Sequence, residues 1–301
     1  MEASSDCIPC MLTQALGAAR RVTDDTWLHR KLLFAVMEYL PTLNFDRSPA
    51  EVSYDCLHFT TRYLGVTDPY ADEKQRSTRK LLAIEHELRQ KLLAAPDPLE
   101  AAIRYALAAN RIDLGAVSEQ QVEQELSCDA TALEMAINDY DALRSALAEA
   151  RTAIYILSNA GEVVCDKLVL EQLGVPEITC VVRQSPIINQ VTRDDVADVG
   201  LERLARIVDP GVDALGIPLS LCSAEFRALF ADADVVIARG QANYATLDEP
   251  ERDVYHIFRA KCEHTAQHLG VRRDDAIVAR TPRPKGRPLV HPQHAANEGD
   301  L

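Results

Sequence analysis

The sequence has no apolar run approaching the ~18 residues of a membrane-spanning helix, which argues against a membrane role. It has no basic excess either: 32 Lys and Arg stand against 46 Asp and Glu, a net charge of −14. General nucleic-acid affinity rests on cations that neutralise phosphates, so this balance argues against a nucleic-acid binder. A small anionic ligand in a local basic pocket stays compatible with it. The first nine residues lack a basic stretch followed by an apolar one, so no secretory signal is expected and the cytoplasm is the expected location. A second Cys-x-x-Cys to match Cys7 and Cys10 is also missing. A structural zinc site normally takes four ligands, so one such pair is a weak metal signal. A redox pair or a helix-start packing feature fits it equally well, and the eight cysteines of a chain without a signal are expected to be reduced thiols.

Charged residues make up 26% and hydrophobic residues 47%, as in an ordinary folded domain able to bury a core. Up to about residue 115 the apolar spacing is helical. Helices are expected over Cys10–Val22, Leu28–Leu40, Pro49–Leu64, Glu73–Leu93 and Asp97–Asn110, then over Val117–Leu126 and Asp129–Ala150. From Thr152 the pattern changes. Short β-branched runs at Thr152–Leu157, Ile178–Arg183, Val235–Ala238 and Ala276–Ala279 alternate with helical stretches. That alternation predicts an α/β fold, a three-layer α/β/α core on a mainly parallel sheet, with an N-terminal all-helical part. The expected division is 1–115 helical, 116–280 core, and 281–301 a disordered tail rich in proline.

Ligands of open parallel sheets bind beyond the carboxyl ends of the strands. Three loops fall there: Ser158-Asn159-Ala160-Gly161-Glu162, Pro186-Ile187-Ile188-Asn189-Gln190, and Arg239-Gly240-Gln241-Ala242-Asn243. Polar side chains and glycines beside helix starts suit a small phosphorylated or carboxylated metabolite, although turns and helix caps use the same residues.

These loops carry a family resemblance. YILSNAGEVVCDKLVLEQL, SPIINQVTRDDV and ADVVIARGQANYATL resemble blocks of the damage-control phosphatases. CIPCMLTQAL, DPYADEK, NRIDLG and FRAKCEHTAQHLGV fit the same family, in the same order, across nearly the whole chain. The resemblance implies a metal-dependent phosphatase acting on a phosphometabolite such as a sugar phosphate, with a helical part packed on an α/β/α core. It implies a divalent metal (manganese, cobalt, nickel or magnesium) at the positions of Ser158, Asn159 and Gln190. Asn159, Glu162 and Asp194 are the implied catalytic candidates. Asn110, Asp113, Gly161, Arg239, Gly240, Asn243 and Lys261 are the implied substrate contacts.

At two of the metal positions the family has aspartate, and here stand Ser158 and Gln190. Each lost carboxylate removes roughly 8 kcal/mol of attraction to a dication at ~4 Å, at an effective dielectric of ~20 and before desolvation. Arg239 replaces a lysine and keeps its charge. Two functions therefore stay open, a metal-assisted hydrolase and a non-hydrolytic metabolite-binding protein on the same fold. A Cys7/Cys10 redox protein is a third. Residue by residue there are plainer readings. Glu162 also suits a helix dipole, Asp166 and Lys167 a surface ion pair, Asp194 and Asp195 a helix start, and Cys262 a buried core thiol. His264 and His268 read as surface residues.

Overall fold

The structure is a computed structural model that describes residues 1–110 and 133–281. Five helices open the chain: α1 (Cys7–Val22), α2 (Thr26–Tyr39), α3 (Pro49–Leu64), α4 (Ala71–Ala94) and α5 (Pro98–Ala109). Their starts are chemically specified. Asp25 caps α2 through the Trp27 and Leu28 amides, and Asp97 caps α5 through the Glu100 amide. Ser48 and Glu51 form a reciprocal capping box on α3, with Pro49 in the first turn. Strand β1 (Met135–Asn138) and helix α6 (Tyr140–Glu149) follow. Then come β2 (Thr152–Ile156), α7 (Val163–Leu170), β3 (Glu177–Val181), α8 (Arg193–Ala197), β4 (Arg206–Val208) and α9 (Ala224–Asp232). The chain continues through β5 (Val235–Arg239), α10 (Gln241–Thr246), β6 (Val254–Arg259), α11 (Glu263–Leu269) and β7 (Ala276–Thr281).

The strands form one seven-stranded sheet in the order β1-β7-β6-β5-β2-β3-β4. All neighbours are parallel except β6 and β7. Alternate residues of a strand face opposite layers. On β5, Val235 and Ile237 pack with Leu107 of α5 and Leu168 of α7. Val236 and Ala238 pack on the other side with Phe226 and Phe230 of α9. Helices on both faces of a mostly parallel sheet are the expected α/β/α architecture. The helices before residue 110 divide between two cores. Helices α1 to α3 share a cluster around Met11, Leu32, Val36 and Val52, whereas α4 and α5 bury Leu81, Leu88 and Leu107 against the sheet.

Three strands were not expected from the pattern. Met135–Asn138, within the stretch read as helix Asp129–Ala150, is a strand held by parallel pairing with β7, and helix begins only at Tyr140. Val254–Arg259 is buried at all six positions, so it shows no alternation that would mark one face. Arg206–Val208 is a three-residue edge strand. Thr281, assigned from sequence to the tail, is instead the last residue of β7, and the expected helix Val117–Leu126, the boundary at 115 and the remaining tail, 282–301, lie outside the described residues. No helix among the described residues is long and apolar enough to cross a membrane.

Leu107 is fully buried where α5 meets the sheet. Leu107→Ala is expected to cost about 2–5 kcal/mol through lost transfer energy and a residual cavity. A lowered denaturant midpoint at unchanged slope checks this.

Candidate functional site

The chain leaves β2 toward β3 and β4 on one side of the sheet, and returns as β5 and β6 on the other. The crevice between the carboxyl ends of β2 and β5 is therefore the topological switch point, where such sheets bind ligands. Backbone bonds assemble it. Val191 N–H donates to Ser158 O at 2.8 Å and Ala160 N–H to Asn189 O at 2.9 Å, so the loop after β3 folds back along the loop after β2. This places Gln190 opposite Asn159 in a single antiparallel bridge. Gly240 closes the other side with φ +82°, and a Cβ there would stand 2.1 Å from Ser158 Oγ. Only glycine fits so close an approach.

A polarised hydrogen-bond chain crosses the crevice. The Arg183 Nε and one terminal nitrogen donate to Gln190 Oε1 at 3.3 and 3.2 Å. Gln190 Nε2 donates to Asn159 Oδ1 at 2.7 Å, and Asn159 Nδ2 to Glu162 Oε1 at 2.5 Å. Asn110 Nδ2 donates to both Glu162 oxygens at 2.8 Å. With a guanidinium at one end and a carboxyl at the other, each amide has one workable orientation. Arg183 also donates to Asn243 Oδ1 at 2.6 Å and Gly216 O at 2.8 Å. No carboxylate among the described residues is ion-paired with it, and burial pulls its pKa down to about 10.

Glu162 is wholly enclosed, and burial pushes its carboxyl up to about 7 against the opposing fields of Lys261 and Arg239. Beside it, Arg239 Nε donates to Asp166 Oδ1 at 2.6 Å, and Tyr155 donates its hydroxyl to the same oxygen at 2.7 Å. The remaining Arg239 nitrogens bind Ile257 O at 2.6 Å and Ala106 O at 2.7 Å. Burial lifts the Tyr155 hydroxyl far above its usual range, and the carboxylates hold Arg239 charged despite its burial.

A cavity of about 500 Å³ opens over the crevice. Of the metal, catalytic and substrate positions that the resemblance implies, Ser158, Asn159, Gln190 and Lys261 line it. Asn110, Glu162 and Asn243 lie behind that wall within the hydrogen-bond chain. Arg239 faces the packed α5 and α7 layer instead of the cavity, with its donors spent on protein. Gly161 approaches Ser77 of α4, where a Cβ would meet its Oγ at 2.8 Å, so its smallness serves helix packing. Asp194 is exposed in the first turn of α8, and Asp195 forms a capping box with Thr192, which is the helix-start reading. Asp113 lies outside the described residues.

The Asp166–Lys167 surface pair does not form. Asp166 is buried on Arg239, and Lys167 pairs with Glu85 at 2.9 Å. Two features escaped the sequence reading. Arg183 looked like the last residue of an apolar strand, whereas that strand ends at Val181, and a charged residue closing an apolar run was the available clue. Cys262, expected as a core thiol, lines the cavity together with Cys7 and Cys10. His264 also borders the cavity.

The residues matched by a family model settle the relationship: positions 3–277 fit the damage-control phosphatase ARMT1-like domain. The chain belongs to the damage-control phosphatase family. It is 27% identical to a damage-control phosphatase of Pyrococcus horikoshii, over 93% of this chain and 98% of that one. It is 28% identical to a damage-control phosphatase of Archaeoglobus fulgidus, over 92% and 99%. An uncharacterised protein of Methanocaldococcus jannaschii is 29% identical over 91% and 93%. The crystal structure of a DUF89 family protein from Pyrococcus horikoshii superposes with a TM-score of 0.83 at 28% identity, covering 93% of this chain and 99% of that one. The named relatives support a phosphatase-type function for this family member.

The buried Glu162 carboxyl gives a pH signature. Its folded pKa of about 7 exceeds the ordinary 4.5, so the folded state binds the extra proton between those values. Its stabilising contribution is full below 4.5 and is lost as pH rises through about 7. Relative to wild type, Glu162→Gln should therefore gain stability between about pH 5 and about pH 8. Denaturant melts across that range check it; parallel curves for the two proteins would refute it.

Proposed function

We propose that this family member binds a small phosphorylated metabolite, such as a sugar phosphate, in the cavity at the β2/β5 switch point. The observation that carries the reading is the meeting of Ser158, Asn159 and Gln190 with Lys261 on one cavity wall, built from loops far apart in sequence. Lys261 supplies a cation at the rim, and its field reaches Glu162. Ammonium-to-phosphate bonds are charge-assisted and among the stronger polar contacts. Glu162 is poised near neutrality but stands behind Asn159, so it positions that amide instead of meeting the ligand directly.

The metal implied by the family supplies a Lewis acid and an activated water when bound. Hard divalent ions take oxygen donors, chiefly carboxylates. The side chains at the three family positions do not fit that requirement. Asn159 Oδ1 accepts from Gln190, and Gln190 Oε1 accepts twice from a buried guanidinium. Among the described residues, no three His, Cys, Asp or Glu side chains gather closely enough to hold an ion. This donor set favours the second reading, a metabolite-binding protein that does not hydrolyse phosphate by the metal-assisted route.

Isothermal titration with a panel of sugar monophosphates tests the reading. Binding should appear, and Lys261→Ala should weaken it about tenfold or more, the loss of one charged hydrogen bond. Manganese-stimulated turnover of a generic phosphate ester should stay at background. Absence of binding across the panel would overturn the assignment, and manganese-dependent turnover would restore the hydrolase reading.

A further inference from the structure

The replacements at 158 and 190 do more than remove charge: they reverse the hydrogen-bonding sense of the site. A carboxylate is an acceptor only, whereas a primary amide carries two N–H hydrogens and a hydroxyl carries one. Gln190 spends one N–H on Asn159 Oδ1, and Asn159 spends one on Glu162 Oε1. Each amide keeps a second N–H, and both side chains line the cavity. The Ser158 hydroxyl borders the same cavity and has no hydrogen-bond partner among the described residues. The orientation is enforced from behind. Arg183 can only donate, so Gln190 must turn its oxygen toward Arg183 and its nitrogen toward Asn159. Asn159 must then turn its oxygen to Gln190 and its nitrogen to Glu162. The result is a wall of donors backed by a buried cation that no carboxylate among the described residues pairs with.

Resting on the phosphometabolite reading above, we infer that the ligand's oxyanion sits directly on Ser158, Asn159 and Gln190, in the place where the family pattern would put a metal ion. The N–H and O–H groups receive phosphate oxygens there, and Arg183 contributes its field through Gln190. Arg183 is a positioning residue, because its nitrogens are engaged with Gln190, Asn243 and Gly216. A dication at this point would face amide hydrogens and the field of a guanidinium. An anion faces the opposite, favourable arrangement, and it needs no bridging metal.

The test uses the full chain and inorganic phosphate as the probe. Phosphate is titrated calorimetrically in chelator and again with excess manganese, while electron paramagnetic resonance counts free manganese. The expected result is the same phosphate affinity in both buffers, within about twofold, with the manganese remaining free. Gln190→Asp puts back an acceptor-only group, which should pair with Arg183 and weaken phosphate binding in chelator about tenfold or more. Ser158→Asp should act in the same direction, and it serves if Gln190→Asp does not fold. Phosphate binding only with manganese, or tightened tenfold by it, would overturn the inference while leaving metabolite binding intact. Affinity unchanged by both aspartate variants would overturn it as well. No phosphate binding in either buffer, with sugar phosphates also failing, would remove the underlying reading and the inference together.

Discussion

The arrangement depends on one buried cation, Arg239. Its guanidinium is fully enclosed at the end of β5 and joins Asp166 on α7, the Ala106 carbonyl on α5 and the Ile257 carbonyl on β6. Two helices and two strands are therefore fixed to one rigid planar group. A charge so placed is tolerable only when each donor has a partner, and the loss of one partner typically costs 3–5 kcal/mol. Asp166 Oδ1 takes both the Arg239 Nε–H and the Tyr155 hydroxyl, which ties this anchor to β2 as well.

From that anchor the polar chain runs outward. Glu162 lies 3.7 Å from Arg239 and accepts from Asn110 and Asn159. Asn110 in turn accepts from the Arg259 amide, so the end of α5 is tied to the end of β6. A second buried cation, Arg183, terminates the chain on the far side. Between the two arginines each amide is oriented by its neighbours, and the cavity wall inherits a fixed pattern of donors. In a low-dielectric interior such networks are rigid when satisfied, which holds the wall in one arrangement.

Several readings were legible because they rest on local chemistry. The helices from Cys7 to Ala109 follow from apolar spacing and from caps at Asp25, Ser48 and Asp97. The strands around Ile154, Cys180 and Val236 follow from short β-branched runs. The family blocks placed Ser158, Asn159, Gln190 and Lys261 near one another, and all four do line one cavity. Other residues were misjudged because side-chain direction is not written in a loop's composition. Arg239 belongs to a ligand-facing loop by sequence, yet its long side chain runs back into the core. Cys262 looks like core by hydrophobicity, yet it precedes the first turn of a short helix at the cavity edge.

What the sequence by itself determined is the alternation of strand and helix, the order of the family blocks, and the fact that two acidic positions carry a hydroxyl and an amide. Those are properties of residue identity and period. Only the tertiary structure decided how the two replaced side chains are held. Gln190 reaches Asn159 because the loop after β3 lies along the loop after β2 through backbone bonds between residues about thirty positions apart. Arg183 reaches Gln190 because the loop after β3 returns on itself, with the Arg183 N–H donating to Val191 O. That contact turns the Gln190 oxygen away from Asn159 and leaves N–H groups for the cavity. The sign of the site depends on which atom of an amide points inward, and packing between distant segments sets that direction.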